Sequence, residues 1–313
     1  MTASAIRLSL RLQRFEAFGI VAASVVAIAG ALFFAARLDA LHVPLSCFPG
    51  ASGAEPTSEC QSLLQRFYEI TEDGRFVLFG LAGLPFLAGV VLGVPIVARE
   101  LERGTTRLSW SLSPSRRAWF AARTLPVLAI VFLAAIGLAL GAERLFAARS
   151  PDVDMSASFY DYGFRGPLLA ARAIALFGVA VLIGTILGRA LPALLLSVVA
   201  FAAVLSGVQV AHDAILEREA VYRPGDLVRP ADRGLFSAFR LADGSVVRAD
   251  WVGVEYHDDG SVWIGGQPVE WLQAVIPGER YGEVAGREAA AFGLIAVLGL
   301  GAALAVVDRR RPG

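Results

Sequence analysis

Long apolar runs alternate with short charged segments along this chain, and the run lengths decide what the runs are. Uncharged stretches occupy Ala17–Ala36, Phe76–Ala98, Thr124–Ala142, Ala173–Gly188, Ala190–Ala211 and Ala289–Val307. Most hold roughly 19–23 residues, the length a helix needs to cross about 30 Å of hydrocarbon at about 1.5 Å per residue. The fourth is shorter because Arg172 bounds it. An arginine can extend its stem toward the headgroups, so that span is expected to begin near Gly166. Core helices of a soluble protein rarely stay free of charge over so many full spans. The pattern predicts an all-α polytopic membrane protein with six transmembrane helices.

One segment breaks the helical pattern. Between His212 and Arg287 the run "FSAFRLADGSVVRADW" is followed by "VGVEYHDDGSVWIGG". Each carries Asp-Gly-Ser-Val, at Asp243 and Asp259, flanked by aromatic and β-branched residues. Asp-Gly in that setting is a strong hairpin signal. The expectation is a small β-meander before the last helix, with Pro224, Pro230 and Pro268 marking turns. His257, Asp258 and Asp259 are explained by turn chemistry without a metal.

Composition agrees with the class: 56% of residues are hydrophobic, 18% are charged, and mean hydropathy is +0.61. These values lie outside the range of ordinary soluble domains. The first run is too long for a signal-peptide core and lacks a convincing cleavage site after it, so it is expected to remain as a span. All 28 basic residues are arginine, and the formal net charge is zero. With the N-terminus placed in the cytoplasm, that zero divides unevenly. The inner segments hold 13 Arg against four acids, Glu16, Glu100, Glu102 and Asp308, whereas the outer segments hold 15 Arg against 24 acids. Basic residues clustered at the inner span ends outweigh the seven in and flanking the two shorter outer loops, Arg37 and Arg172 included, as the positive-inside rule asks. Both termini are then cytoplasmic and the β-rich insertion extracytoplasmic. The expected layout is an interfacial segment at 1–14; spans at 15–38, 76–98, 118–142, 166–188, 190–211 and 288–307; outer loops at 39–75 and 143–165; a cytoplasmic elbow at 99–117; the β-rich piece at 212–287; and a tail at 308–313.

The two cysteines, Cys47 and Cys60, share the first outer loop, across a spacer rich in Gly, Pro and Ser. The outer side of a bacterial plasma membrane permits disulfides, and C-x12-C without His partners is no zinc pattern, so a bond is expected.

The elbow is the most unusual stretch: "RELERGTTRLSWSLSPSRRAWFAAR", six arginines and two glutamates between two apolar spans. Ala98–Arg103 has strong helix formers and Gly104 is a suitable stop. "TTRLSWSL" reads as a connector with an apolar side at Leu108, Trp110 and Leu112. A second helix restarts with Ser113 as N-cap and Pro114 at its first position. Arg116, Arg117 and Arg123 then lie at headgroup depth, and Glu100, Glu102, Arg103 and Arg107 are displayed. The positive-inside rule does not ask for glutamates here, and their presence points to docking on a cytoplasmic partner.

At these residues the sequence resembles the permeases of type-2 ATP-binding-cassette exporters, particularly those of high-GC Gram-positive bacteria. Gly93, Pro95, Ala98, Arg99, Glu100, Glu102, Gly104, Thr105, Arg107, Leu108 and Trp110 match the segment after the family's second span, and Ser113, Arg116 and Trp119 match its continuation. "LSLRLQRFEAFG" is similar to the family's interfacial helix and "VIPGERYGEVAGREAAAFG" to the lead into its last span, although Gly282 and Glu283 depart from that pattern. The resemblance implies an exporter permease in the plasma membrane whose elbow seats in a separate ATPase subunit. Arg99, Glu100, Glu102, Arg103, Gly104, Thr105 and Arg107 would transmit nucleotide-driven closure, and a second permease copy or homologue would complete the path. A separate ATPase also follows from the residues, because a P-loop requires a lysine and this chain has none. No cofactor, metal or nucleic acid is expected, and no catalytic residue; the other partners are membrane lipids.

Three alternatives remain at this level. An ion-coupled carrier needs ionisable groups inside the bilayer; Arg172 is the deepest charge, and no acid is expected to accompany it. A membrane enzyme needs a nucleophile–base pair or a metal cluster, and His42, His212 and His257 are all expected outside. A non-transporting sensor with a ligand-binding outer domain could keep the elbow. Gly89/Gly93 and Gly137/Gly141 form G-x-x-x-G pairs, fit for helix packing or for a permease–permease interface.

Overall fold

The computed structural model describes residues 13–48, 57–111, 113–249, 253, 255–256 and 262–310. Most of the interfacial segment expected at 1–14 lies outside these residues, as do Leu112, the His257–Asp259 run and Arg311. The chain divides into two compact units. The first comprises Met1–Asp152, Gly163–Ser206 and Ala285–Gly313, and the second Val153–Tyr162 and Gly207–Val284.

The first unit is a helix bundle. Its elements are α1 (Arg14–Asp39), α2 (Ser58–Asp73), α3 (Arg75–Gly93), α4 (Pro95–Glu102), α5 (Thr106–Ser111), α6 (Arg116–Arg149), α7 (Gly166–Leu187), α8 (Ala190–Glu219) and α9 (Tyr281–Arg309), the last two extending into the second unit. Six of the helical stretches are long and apolar enough to cross a membrane. The first loop, past its Gly/Pro-rich spacer, is helical. Thr57 caps α2 by accepting from the Cys60 N–H at 3.3 Å, and Leu64, Phe67 and Ile70 bury one face of that helix. Cys47 and Cys60 are disulfide-bonded, with their Cα atoms 5.3 Å apart.

Helix α7 is the centre of the bundle: 72% of its apolar window is buried, against 22% for α1. Glycine makes that position possible. A Cβ on Gly178 would lie 2.8 Å from the Ala296 carbonyl oxygen of α9, and one on Gly299 would lie 2.9 Å from the Gly178 backbone. Gly89 and Gly93 of α3 bring its backbone equally close to Ala173 and Phe177 of α7. Gly137 and Gly141 face Ile28 of α1. Both G-x-x-x-G pairs are thus occupied in packing within the chain.

The second unit contains the β insertion: β1 (Val221–Pro224), β2 (Arg233–Arg240), β3 (Val246–Arg248), β4 (Glu255–Tyr256), β5 (Val262–Ile264) and β6 (Gln267–Ile276). The order β3-β2-β6-β5-β4, all antiparallel, is not the expected meander. The long β6 takes the centre, pairing β2 on one side and both β1 and β5 on the other. Its alternating Leu272 and Ala274, with Ala238 of β2, are fully buried, and that burial rewards a central place. Of the two Asp-Gly turns, the first closes β2 onto β3, with Gly244 at φ +83°. Asp243 accepts from the Ser245 N–H and hydroxyl at 2.9 and 2.6 Å, and these bonds hold its carboxyl below the usual carboxylate range. The β5–β6 turn uses Gly265-Gly266, both at positive φ, as a two-residue primed turn requires. Pro268 does not mark a turn; it sits within β6 opposite Trp263.

The rest of the second unit is held by charge. The Asp232 carboxylate, 1% exposed, accepts from Arg223 at 2.6 Å and from the N–H groups of Arg229 and Gly278 at 3.1 and 3.0 Å. Asp213 pairs with Arg233 at 2.6 Å, and Arg280 bridges Glu219 and Glu283, which together raise its pKa.

Candidate coupling knuckle

The break between α3 and α4 follows from Pro95, which has no N–H and opens the new helix as its first residue. Helix α4 ends where the sequence predicts. Gly104 takes the left-handed conformation at φ +69°; its N–H donates to Leu101 at 3.2 Å, and that of Thr105 donates to Glu100 at 3.1 Å. This is the double bond pattern that closes a helix on a C′ glycine. The stretch after it is not a connector but a short helix, α5, on which Leu108 is exposed. The restart also differs. Ser115, not Ser113, caps α6 by accepting from the Ala118 N–H at 3.1 Å, and Pro114 stays outside the helix. An N-cap must be extended so that its oxygen can reach back to the first turn, and Ser115 has that backbone, φ −159° and ψ 161°.

Charged side chains tie this knuckle to the helices around it. Arg99 pairs with Glu16 of α1 at 2.5 Å. Glu100 pairs with Arg123 of α6 at 2.5 Å, each side chain 12% exposed. The expectation that Glu100 is displayed is therefore corrected: it turns inward to Arg123, and burial tolerates a carboxylate only when it is paired. Glu102 is exposed, and its carboxylate accepts from the Ala190 N–H at 3.2 Å, capping the start of α8. Arg103, Gly104 and Thr105 form the exposed tip. Arg107 lies on α5, with its side chain outside the described residues.

Residues that the sequence did not place among the coupling residues complete the belt. The Arg116 guanidinium donates to the carbonyls of Asp308 and Arg310 at 2.7 and 2.8 Å, satisfying the open end of α9, and stacks over Trp110 at 4.5 Å. Arg117 pairs with Asp308 at 2.8 Å, and Arg310 donates to the Thr185 carbonyl of α7 at 2.5 Å. Every long helix of the bundle is thereby joined at one end. A signal for this was present in the sequence. The four acids standing among the basic inner segments, Glu16, Glu100, Glu102 and Asp308, are the four that accept these bonds.

A second polar feature lies deeper. Arg172 of α7 donates to Glu288 of α9 at 2.5 Å, with side chains 9% and 3% exposed, and to the Gly163 carbonyl at 3.1 Å. An acid does accompany Arg172. Sequence reading missed it because Glu288 stands one residue before the last uncharged run, and only helix packing brings it across from α7. One helical turn along α7, at Leu176, begins an open apolar pocket of about 560 Å³ between α3, α7 and α8, lined by Phe86, Leu87, Val91, Leu195 and Phe201 as well. Among the described residues no group of His, Cys, Asp and Glu is arranged to hold a metal ion.

A family model described as ABC-2 membrane transporter related matches residues 17–212, which carry the knuckle and the first five of the long helices. No curated protein and no solved structure matches the chain. The match spans more than half of the sequence, and the chain belongs to that family.

Proposed function

We propose that this multi-pass member of the ABC-2 membrane transporter related family is the permease subunit of an ATP-binding-cassette exporter. It acts as a dimer with an identical or related copy, in a bacterial plasma membrane with both termini cytoplasmic. The chain needs no cofactor and catalyses no reaction of its own; ATP is hydrolysed in a separate subunit. The observation that carries this reading is the knuckle. Its exposed tip at Arg103–Thr105 offers a partner a surface, and the bonds behind it reach α1, α6 and α8 directly. A push on the tip is therefore delivered to several spans at once, as a motor-driven conduit requires. Glu102 serves as both part of the contact and the cap of α8.

The Arg172–Glu288 pair is the one feature that an ion-coupled carrier would share. Both of its charges are already compensated by each other, and that reading gives the knuckle no task.

The test is co-purification of an ABC-type ATPase with the full chain and reconstitution of the two in lipid nanodiscs. Glu102→Arg is expected to insert normally yet abolish the dependence of ATP hydrolysis on the permease. Labelling of Arg103→Cys from the cytoplasmic side is expected in intact cells. Normal coupling in the first variant, or labelling from outside in the second, would overturn the assignment.

A further inference from the structure

Arg172 has more donors than its partners use. One terminal nitrogen serves Glu288 and the other Gly163, but Nε, buried, has no hydrogen-bond partner among the described residues. A buried charged donor left open costs free energy unless something accepts from it. The apolar pocket begins one helical turn away. Leu176, one helical turn along α7 from Arg172, lines that cavity, and residues four apart share a helix face. A row of rings makes the same connection. The Arg172 guanidinium sits 5.6 Å from the Phe292 ring centroid, Phe292 is 6.5 Å from Phe201, and Phe201 is 5.8 Å from Phe86. The last two rings are cavity wall.

We propose that this cavity and Arg172 together form a binding site for a single-chain amphiphile with an anionic head, a carboxylate or a phosphate. The chain lies against Leu87, Val91, Leu195 and the phenylalanines. The head accepts from the open Nε and shares the guanidinium with Glu288. In hydrocarbon surroundings a neutral head gains little from that guanidinium, so the site discriminates by charge as well as by shape. Glu288 opposes the ligand, since two anions then share one cation. The pair acts as a counterweight that keeps the empty site neutral and the bound ligand releasable. This assignment concerns the chain alone and does not depend on the partner ATPase.

The experiment uses the full chain in detergent, with a pyrene-labelled long-chain fatty acid and its methyl ester as probes. Binding is read by tryptophan-to-pyrene energy transfer, and free micelles serve as background. The wild-type chain is expected to bind the acid roughly tenfold more tightly than the ester, the worth of one charged hydrogen bond. Glu288→Gln keeps a hydrogen-bond acceptor for Arg172 but removes the competing charge. It is expected to tighten acid binding by about tenfold and leave the ester unchanged. The double variant Arg172→Met/Glu288→Leu, which buries no lone charge, is expected to bind acid and ester equally. Phe201→Ala weakens both. Competition by oleate and by lysophosphatidate separates the two head chemistries. Equal binding of acid and ester by the wild type, no gain in Glu288→Gln, or charge preference persisting in the double variant would each overturn the site. A merely structural ion pair predicts no gain in acid affinity on neutralising Glu288.

Discussion

Glu100 and Arg123 meet at 2.5 Å with both side chains nearly out of solvent, so helix α4 is joined to α6 by a buried ion pair rather than by a surface contact. The distinction sets how the two ends of the pair respond to substitution. Taking charges out of water is costly, and a pair recovers the cost only while both members remain. Glu100→Ala takes the opposing carboxylate away from the buried Arg123 guanidinium and should destabilise the bundle by about 3 kcal/mol. The double change Glu100→Leu/Arg123→Met should recover most of that loss. Thermal unfolding of the purified chain in detergent checks both. A single variant as stable as the wild type would show that the pair contributes nothing.

The contact between α7 and α9 makes a different prediction, because there the obstacle is backbone. A methyl group added at Gly178 would press on the Ala296 carbonyl, which a helix cannot swing aside. Gly178→Ala should therefore cost on the order of 1–3 kcal/mol despite the better helix propensity of alanine. Gly301 on α9 has open space around its Cβ position. There the same substitution should be neutral or stabilising by up to about 1 kcal/mol. Parallel melting curves that rank the two variants the other way would contradict the packing of these helices.

In the β-rich unit the pH dependence has a definite sign. Asp243 has its carboxyl pKa lowered from the ordinary 3.8 by the hydroxyl and N–H of Ser245. A group depressed in the folded state contributes stability above its unfolded value, and that contribution is lost as pH falls through the folded one. The β2–β3 turn should thus hold firm at neutral pH and loosen only below pH 3.8. Ser245→Ala should raise the Asp243 pKa and move the loosening to higher pH. Carbon-13 shifts of the Asp243 carboxyl followed against pH measure this directly, and an unchanged midpoint in the variant would refute it.

Much of the site was legible before any fold was known, and its parts differ in why. The stop at Gly104 was readable because a helix end is a local event, decided by one residue that tolerates positive φ. The exact restart was not, since Ser113 and Ser115 are both competent caps and only the path of the chain into α6 selects between them. Glu100 and Glu102 were recognisable as out of place among arginines. That one turns inward to Arg123 while the other caps α8 depends on helices far away in sequence.

The same division holds for the whole molecule. Six spans follow from run length alone, because in a bilayer the backbone must bond to itself and a charge-free stretch of sufficient length has no other way to do so. The disulfide was foreseeable from two cysteines in one loop. Strand order, the central place of α7 and the meeting of Arg172 with Glu288 came only with tertiary packing. These are long-range pairings, set by which glycines let backbones approach and which faces could be buried, and no local pattern encodes the neighbour that a helix will find.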